Sequence, residues 1–211
     1  MKRLFIPAEA EVDIIHVIEK ALKRLPKKIG LLTTAQHLSQ LKKGKGFLEK
    51  SGKEAVLGGQ ILGCNQENAE KIAEKVDCFL FIGSGCFHPS GVLLKINKKI
   101  IIANPYSGEI SEISEAEMEM LKKKKKGALL KFHSAKNIGI LISTKPGQCN
   151  LEEAQKLKKK YNEKKFYLFV GDTFDFNELE NFPFIECWVN TACPRIAEDQ
   201  SKKPIVNLED L

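Results

Sequence analysis

Cys78-Phe79-Leu80-Phe81-Ile82-Gly83-Ser84-Gly85 is the stretch that decides the fold. Five apolar residues run without a polar interruption and stop at two glycines. A strand with one wet face would alternate polar and apolar side chains. An unbroken run of this length reads instead as a buried strand, and its glycine exit as a loop.

The same alternation of strand and helix extends outward in both directions. Upstream, Leu4 to Ile6 reads as a strand, and Glu11 to Leu25 as an amphipathic helix stopped by Pro26. Its apolar face carries Ile14, Ile15, Val17, Ile18, Ala21 and Leu22. Ile29 to Thr33 is the next expected strand, followed by a helix through His37 to Leu41 and a short strand, Ala55 to Leu57. Asn65 can cap a helix running to about Lys75. Downstream, Leu93 to Ile96 and Lys99 to Ala103 read as two strands joined by a tight turn at Asn97-Lys98. Ser114-Glu115-Ala116-Glu117 is a capping box that opens a helix, with Lys122 to Lys126 further along it. Gly127 ends or weakens that helix before Ala128 to Ala135 resumes it. The pattern then restarts: strand Ile138 to Ile142, helix Leu151 to Tyr161, strand Phe166 to Val170, a helical piece at Phe176 to Leu179, and strand Cys187 to Val189. The expected class is α/β, with two similar units, each a mainly parallel sheet flanked by helices. The expected boundaries are 1–113 for the first unit, 114–136 for a linking helix and 137–211 for the second unit.

The 211 residues can bury a sizeable core, and 43% hydrophobic with 29% charged residues describes a globular chain. The longest apolar runs are strand-length, which argues against a membrane span, and no signal peptide is apparent, so a cytoplasmic location is expected. The net charge of +7 is spread over many lysines without interleaved aromatics, so it is read as solvated helix faces rather than a nucleic-acid site. The six cysteines contain no CxxC pair, which excludes a zinc ribbon or a thioredoxin-like motif. GxGxxG, Walker A, HExxH and GxSxG patterns are also missing.

Chemistry is therefore sought at strand exits, where α/β sheets gather functional loops. Cys64 closes Gly59-Gln60-Ile61-Leu62-Gly63-Cys64, and Cys193 sits in Asn190-Thr191-Ala192-Cys193-Pro194-Arg195-Ile196-Ala197. Each follows a short apolar run in a segment rich in turn formers, a place where a thiolate can hold metal. Cys78 and Cys187 lie within strands and read as core, while Cys86 and Cys149 lie in loops. On the residues alone, reduced cysteines that bind nothing explain the pattern better than a metal site. Gly83-Ser84-Gly85 can bring backbone N–H groups close to an anion, or can be a tight strand exit and nothing more. Thr33-Thr34-Ala35-Gln36-His37 offers hydroxyls and an imidazole, or a helix cap. Lys145 in Thr144-Lys145-Pro146-Gly147-Gln148 can meet a carboxylate, or can be surface.

Taken in order, these five strings, with Phe87-His88-Pro89 after the second glycine pair, resemble the archaeal diphthamide synthase subunit family, 2-(3-amino-3-carboxypropyl)histidine synthase. The resemblance implies three α/β domains, each giving one cysteine to a [4Fe-4S] cluster, with S-adenosylmethionine on the remaining iron. It implies a 3-amino-3-carboxypropyl radical that adds to a histidine of translation elongation factor 2. Cys64 then matches the middle-domain ligand and Cys193 the last-domain ligand. Lys145 or Gln148 would hold the amino-acid end of S-adenosylmethionine, and Gly83, Ser84 and Gly85 would line the same cleft. The family's N-terminal domain has no counterpart after Met1. The expectation is a separate N-terminal-domain polypeptide, or a homo- or heterodimer, because both remaining ligand motifs are intact. Two other readings stay open: a local cysteine such as Cys86 supplies the missing ligand, or the chain is a non-catalytic partner or binding subunit without a cluster. No membrane or nucleic-acid partner is expected.

Overall fold

A computed structural model describes residues 4, 6, 8–96, 98–197 and 201–211. The strand expected over Leu4 to Ile6 includes Phe5, and the turn at Asn97-Lys98 includes Asn97, so both expectations fall outside the described residues. The elements, in chain order, are α1 (Ile15–Ala21), β1 (Lys28–Thr33), α2 (Leu41–Lys50), β2 (Glu54–Gln60), α3 (Glu67–Glu70), β3 (Cys78–Ile82), α4 (Phe87–Lys95), β4 (Ile100–Ala103) and β5 (Ile110–Glu112). They continue with α5 (Glu115–Ser134), β6 (Asn137–Ser143), α6 (Leu151–Lys160), β7 (Lys165–Gly171), α7 (Phe176–Leu179), β8 (Cys187–Asn190) and β9 (Ile205–Asn207). The chain divides into two compact units, Met1–Met118 and Glu119–Leu211.

The first unit holds a five-stranded sheet in the order β2-β1-β3-β4-β5. Its first four strands are parallel and β5 is antiparallel. All five residues of β3 are buried, as its unbroken apolar run requires. Cys78, Leu80 and Ile82 face the side covered by α1 and α2, against Val17, Ile18 and Leu48. Phe79 and Phe81 face the other side, against Ala69, Ile72 and Val92. One strand thus feeds two apolar layers through its period of two.

The second unit holds four parallel strands in the order β7-β6-β8-β9. Ile138, Ile140, Cys187 and Val189 pack under Ala128 and Phe132 of α5 and Ala154 and Leu157 of α6. Leu141 and Trp188 face the opposite side with Leu179 and Ile185. Gly139 makes room for Trp188: a Cβ there would collide with the indole ring. The capping box forms as the sequence demands. The Ser114 Oγ accepts the Glu117 N–H at 3.2 Å, and the Glu117 carboxylate accepts the Ser114 N–H at 2.8 Å. Helix α5 continues through Gly127 without a break.

One expected element is corrected. Leu93 to Ile96 is not a strand; Leu93 to Lys95 belong to α4. The reason is topological. β3 and β4 are parallel neighbours, and a parallel pair cannot be joined by a hairpin turn, so the intervening chain must cross over as a helix. Pro89 is compatible with this because it lies in the first turn, where its missing N–H has no intrahelical acceptor. The helix expected from Asn65 to Lys75 is also shorter, forming α3 and a separate 3₁₀ turn at Ala73–Lys75. No helix among the described residues is long and apolar enough to cross a membrane.

Candidate functional site

In each unit the candidate residues lie at the carboxyl ends of the strands. In the first unit, β2 ends at Gln60 and the chain makes a small closed loop before α3. The Leu62 N–H donates to the Asn65 carbonyl at 2.9 Å, and the Asn65 N–H returns to the Leu62 carbonyl at 3.1 Å. Cys64 stands at the tip of this loop, exposed. Three contacts fix the loop. The Ile61 N–H donates to the Thr33 carbonyl at 2.9 Å, which ties it to β1. The buried Gln66 side chain donates through Nε2 to the Gly63 and Leu62 carbonyls. The Asn68 Nδ2 donates to the Gln60 carbonyl at 2.7 Å. Gly63 also lies flat against the Phe87 ring, so close that a Cβ would overlap it. Because Phe87 opens α4, this contact brings the Cys64 loop against the exit of β3, where Cys86 is the N-cap of α4.

In the second unit, Cys193 is half-buried on the loop after β8. Side-chain amides hold this loop. The Asn190 Nδ2 donates to the Cys193 carbonyl at 2.8 Å and to the Asn207 Oδ1 at 2.7 Å. The Asn190 Oδ1 accepts the Ala192 N–H at 3.0 Å. The Thr191 hydroxyl donates to the Leu141 carbonyl at 2.9 Å, and the Asn207 Nδ2 to the Pro194 carbonyl at 3.2 Å. The Asn150 Nδ2 donates to the Thr191 carbonyl, joining the loop after β6 to the loop after β8.

Lys145 and Gln148 share one turn after β6. The Gln148 N–H donates to the Lys145 carbonyl at 3.0 Å, with Pro146 second and Gly147 third at φ +83°. That is the residue order a type II turn requires. The exposed Lys145 ammonium donates to the Thr173 hydroxyl at 3.3 Å. In the first unit, Gly83 is buried and donates its N–H to the Ala103 carbonyl at 3.1 Å, whereas Ser84 and Gly85 are exposed. Thr33 is fully buried and gives its hydroxyl to the Ile82 carbonyl at 2.7 Å, so it locks two strand exits together. His37 is fully buried, and neither ring nitrogen has a hydrogen-bond partner among the described residues.

The electrostatics sort the thiols. Burial pushes Cys78 up to about 11 and Cys187 up to about 12, and both thiols are sealed within apolar packing. Burial, then the carboxylates of Glu117 and Glu109, also raise Cys86. Cys64, Cys86 and Cys149 are exposed and Cys193 is half-buried; Cys64 and Cys193 stand on the loops held by the Gln66 and Asn190 side chains. Their donor type fits an iron–sulfur cluster, whose iron takes cysteine thiolate. Among the described residues, no three His, Cys, Asp or Glu side chains are grouped to hold a metal ion. The amides that hold the two loops, Gln66, Asn68, Asn150, Asn190 and Asn207, were not picked out from the sequence. Only Asn190 gave a local signal, as a polar residue closing an apolar strand directly ahead of Cys193.

Comparison with known proteins extends this picture. Residues 1–211 match the family described as "Putative diphthamide synthesis protein". The chain is 35% identical over 225 residues to 2-(3-amino-3-carboxypropyl)histidine synthase of Pyrococcus horikoshii, covering 99% of this chain and 64% of that protein. The crystal structure of Dph2 from Pyrococcus horikoshii matches with a TM-score of 0.84 at 34% identity, over 98% of this chain and 63% of that one. A second crystal structure of that Dph2, with a 4Fe-4S cluster, matches with a TM-score of 0.82 at 35% identity, over the same shares. The chain therefore spans just under two thirds of these relatives' length.

Proposed function

The chain belongs to the diphthamide synthesis protein family, and from that premise we propose that it forms part of a 3-amino-3-carboxypropyl transferase acting on a histidine of translation elongation factor 2. S-adenosylmethionine is the donor, and Cys64 and Cys193 are two ligands of a [4Fe-4S] cluster. The observation that carries this reading is the sorting of the thiols: Cys78 and Cys187 are sealed in the cores, while Cys64 and Cys193 stand on pinned strand-exit loops. When bound, the cluster would supply the electron that cleaves the Cγ–S bond of the donor. The chain's own residues bind and orient. Gln66 and Asn190 hold the two thiol-bearing loops in place before any ligand arrives, so less ordering entropy is lost on binding. The Lys145 ammonium, exposed beside Thr173, meets the donor's carboxylate, with Gln148 on the same turn. Gly83, Ser84 and Gly85 contact the donor as well.

Anaerobic purification with iron and sulfide analysis and low-temperature electron paramagnetic resonance tests the proposal, with and without a candidate N-terminal polypeptide. The expected result is a brown protein whose iron content falls to near background in Cys64→Ala and in Cys193→Ala, and is unchanged in Cys78→Ala. Iron content indifferent to Cys64 and Cys193 would sink it. The rival reading is a non-catalytic partner or binding subunit without a cluster. A colourless protein that raises the activity of a separate, complete enzyme would establish that reading. Calorimetric binding of S-adenosylmethionine tests Lys145, whose replacement by Ala should weaken affinity about tenfold or more.

A further inference from the structure

Among the described residues of the first unit, Tyr106 is the one exposed Phe, Trp or Tyr side chain, at 54%. It stands on the loop between β4 and β5, and that loop is fixed from several sides. The Asn104 N–H donates to the Glu109 carbonyl at 3.0 Å, and the Gly108 N–H returns to the Asn104 carbonyl at 2.9 Å. The Asn104 Oδ1 accepts the Tyr106 N–H at 3.0 Å and the Ser107 N–H at 3.4 Å. Gly108 takes the left-handed φ of +69° that closes the turn. Two cations tie the loop down: the Lys20 Nζ donates to the Gly108 carbonyl at 3.2 Å, and the Arg24 guanidinium to the Ile110 carbonyl at 3.1 Å. The ring itself leans on the buried His37, with centroids 5.6 Å apart and planes at 54°. The fold thus holds in a fixed place an aromatic ring that it leaves largely in water.

β1 and β4 are the two neighbours of β3, so the contact between His37 and Tyr106 reaches across the exit of β3. That exit is Gly83-Ser84-Gly85, and the Gly83 N–H donates to the Ala103 carbonyl, the end of β4, at 3.1 Å. From this placement we infer that Tyr106 is the platform on which the adenine ring of the donor stacks. The inference deepens the donor reading proposed above and rests on it. Ligands of open α/β sheets bind outside the carboxyl ends of the strands, which is where this ring stands. The purine is the donor's one planar group, and stacking on an aromatic side chain needs only its π-face. The fixed loop leaves the tyrosine little freedom to lose when the purine arrives. A tyrosine that anchors a protein partner sits at the centre of a packed apolar patch. Tyr106 is followed instead by Ser107, Gly108 and Glu109, and lies beside the glycine and serine exit of β3.

The test uses the purified full chain and two probes, adenosine and S-adenosylmethionine. Saturation-transfer nuclear magnetic resonance with adenosine needs neither iron nor turnover. The wild-type chain should pass saturation to the adenine ring protons. Tyr106→Ala should lose that transfer and raise the adenosine dissociation constant about tenfold or more. Tyr106→Phe keeps the ring and should stay within about twofold of the wild type. Calorimetry with S-adenosylmethionine on the anaerobically iron-loaded chain should rank the three proteins in the same order. Their urea unfolding should be alike, because the side chain is largely exposed. Absent transfer in the wild type, equal adenosine binding by Tyr106→Ala, or an equal loss in Tyr106→Phe would each overturn the inference. So would a loss of S-adenosylmethionine affinity with adenosine binding unchanged, which would put the sulfonium over the ring instead. A preference for a short histidine-containing peptide over adenosine would assign the ring to the acceptor and overturn it too. The two readings fail differently. A wild-type chain that binds no S-adenosylmethionine sinks both, whereas donor binding indifferent to Tyr106 sinks this inference alone.

Discussion

The two units share a strand order but place their thiols differently. In sheet order, β2-β1-β3-β4 of the first unit corresponds to β7-β6-β8-β9 of the second. Cys64 leaves β2, whose counterpart β7 runs out into Gly171-Asp172-Thr173. Cys193 leaves β8, whose counterpart β3 leads to Gly83-Ser84-Gly85-Cys86. The manner of support differs too. The Cys64 loop is held by a glycine pressed on an aromatic ring and by one buried glutamine. The Cys193 loop is held by a network of asparagines, two of which hydrogen-bond to each other. The repeated sheet supplies a carboxyl edge; which loop carries chemistry, and what stiffens it, is decided separately in each unit. A thiol cannot be located by matching one unit onto the other.

Breaking the asparagine network should have the larger effect. Asn190 is 2% exposed and contributes three hydrogen bonds. Asn190→Ala removes them all and leaves the Asn207 Oδ1 without its donor, at a cost of about 2–4 kcal/mol in urea unfolding. A loss under about 1 kcal/mol would mean that the Cys193 loop is positioned by other contacts. The steric support should be weaker. Gly63→Ala forces the Phe87 ring aside and should cost about 1–3 kcal/mol. The same change in a Phe87→Leu background should cost less, because the smaller side chain can yield; equal costs in both backgrounds would remove Phe87 from the account of the Cys64 loop.

The sequence made the strands legible where their pattern was extreme. Cys78–Ile82 could be read to the residue because five apolar side chains in a row admit few alternatives. Phe176–Leu179 and the capping box at Ser114 were legible for a similar reason: the signal is local. β5 and β9, at three residues each, are too short to show a period. Leu93 to Lys95 misled because a short apolar run fits either a strand or a buried helix turn, and only the parallel pairing of β3 with β4 decides between them. At the candidate site, exposure followed from position: cysteines inside apolar strands are core, and those past them are accessible. The supports were not legible. Asn190 meets Asn207 across 17 positions, and Gly63 meets Phe87 across the exits of two strands, so no local spacing encodes either contact.

The smallest effect concerns the loop after β1, next to the Cys64 support. His37 has no exposed surface, and its ring lies 5.6 Å from that of Tyr106. Burial pushes its pKa below the ordinary 6.5. The neutral form is thus favoured in the fold, and below pH 6.5 the unfolded chain binds the proton that the folded chain refuses. Stability should be intact above about 6.5 and fall as the pH drops from there towards the lowered folded value. Replacing the imidazole with a ring that cannot take a proton removes this term, so His37→Phe should flatten the pH dependence of the unfolding midpoint between about 7 and 5. The effect should appear in the first unit and leave the asparagine-held loop of the second unchanged, as read by protection of amides near Asn190. An equally steep acid loss in His37→Phe would assign the acid sensitivity to other groups. A parallel loss of protection at Asn190 would show that the two supports do not respond independently.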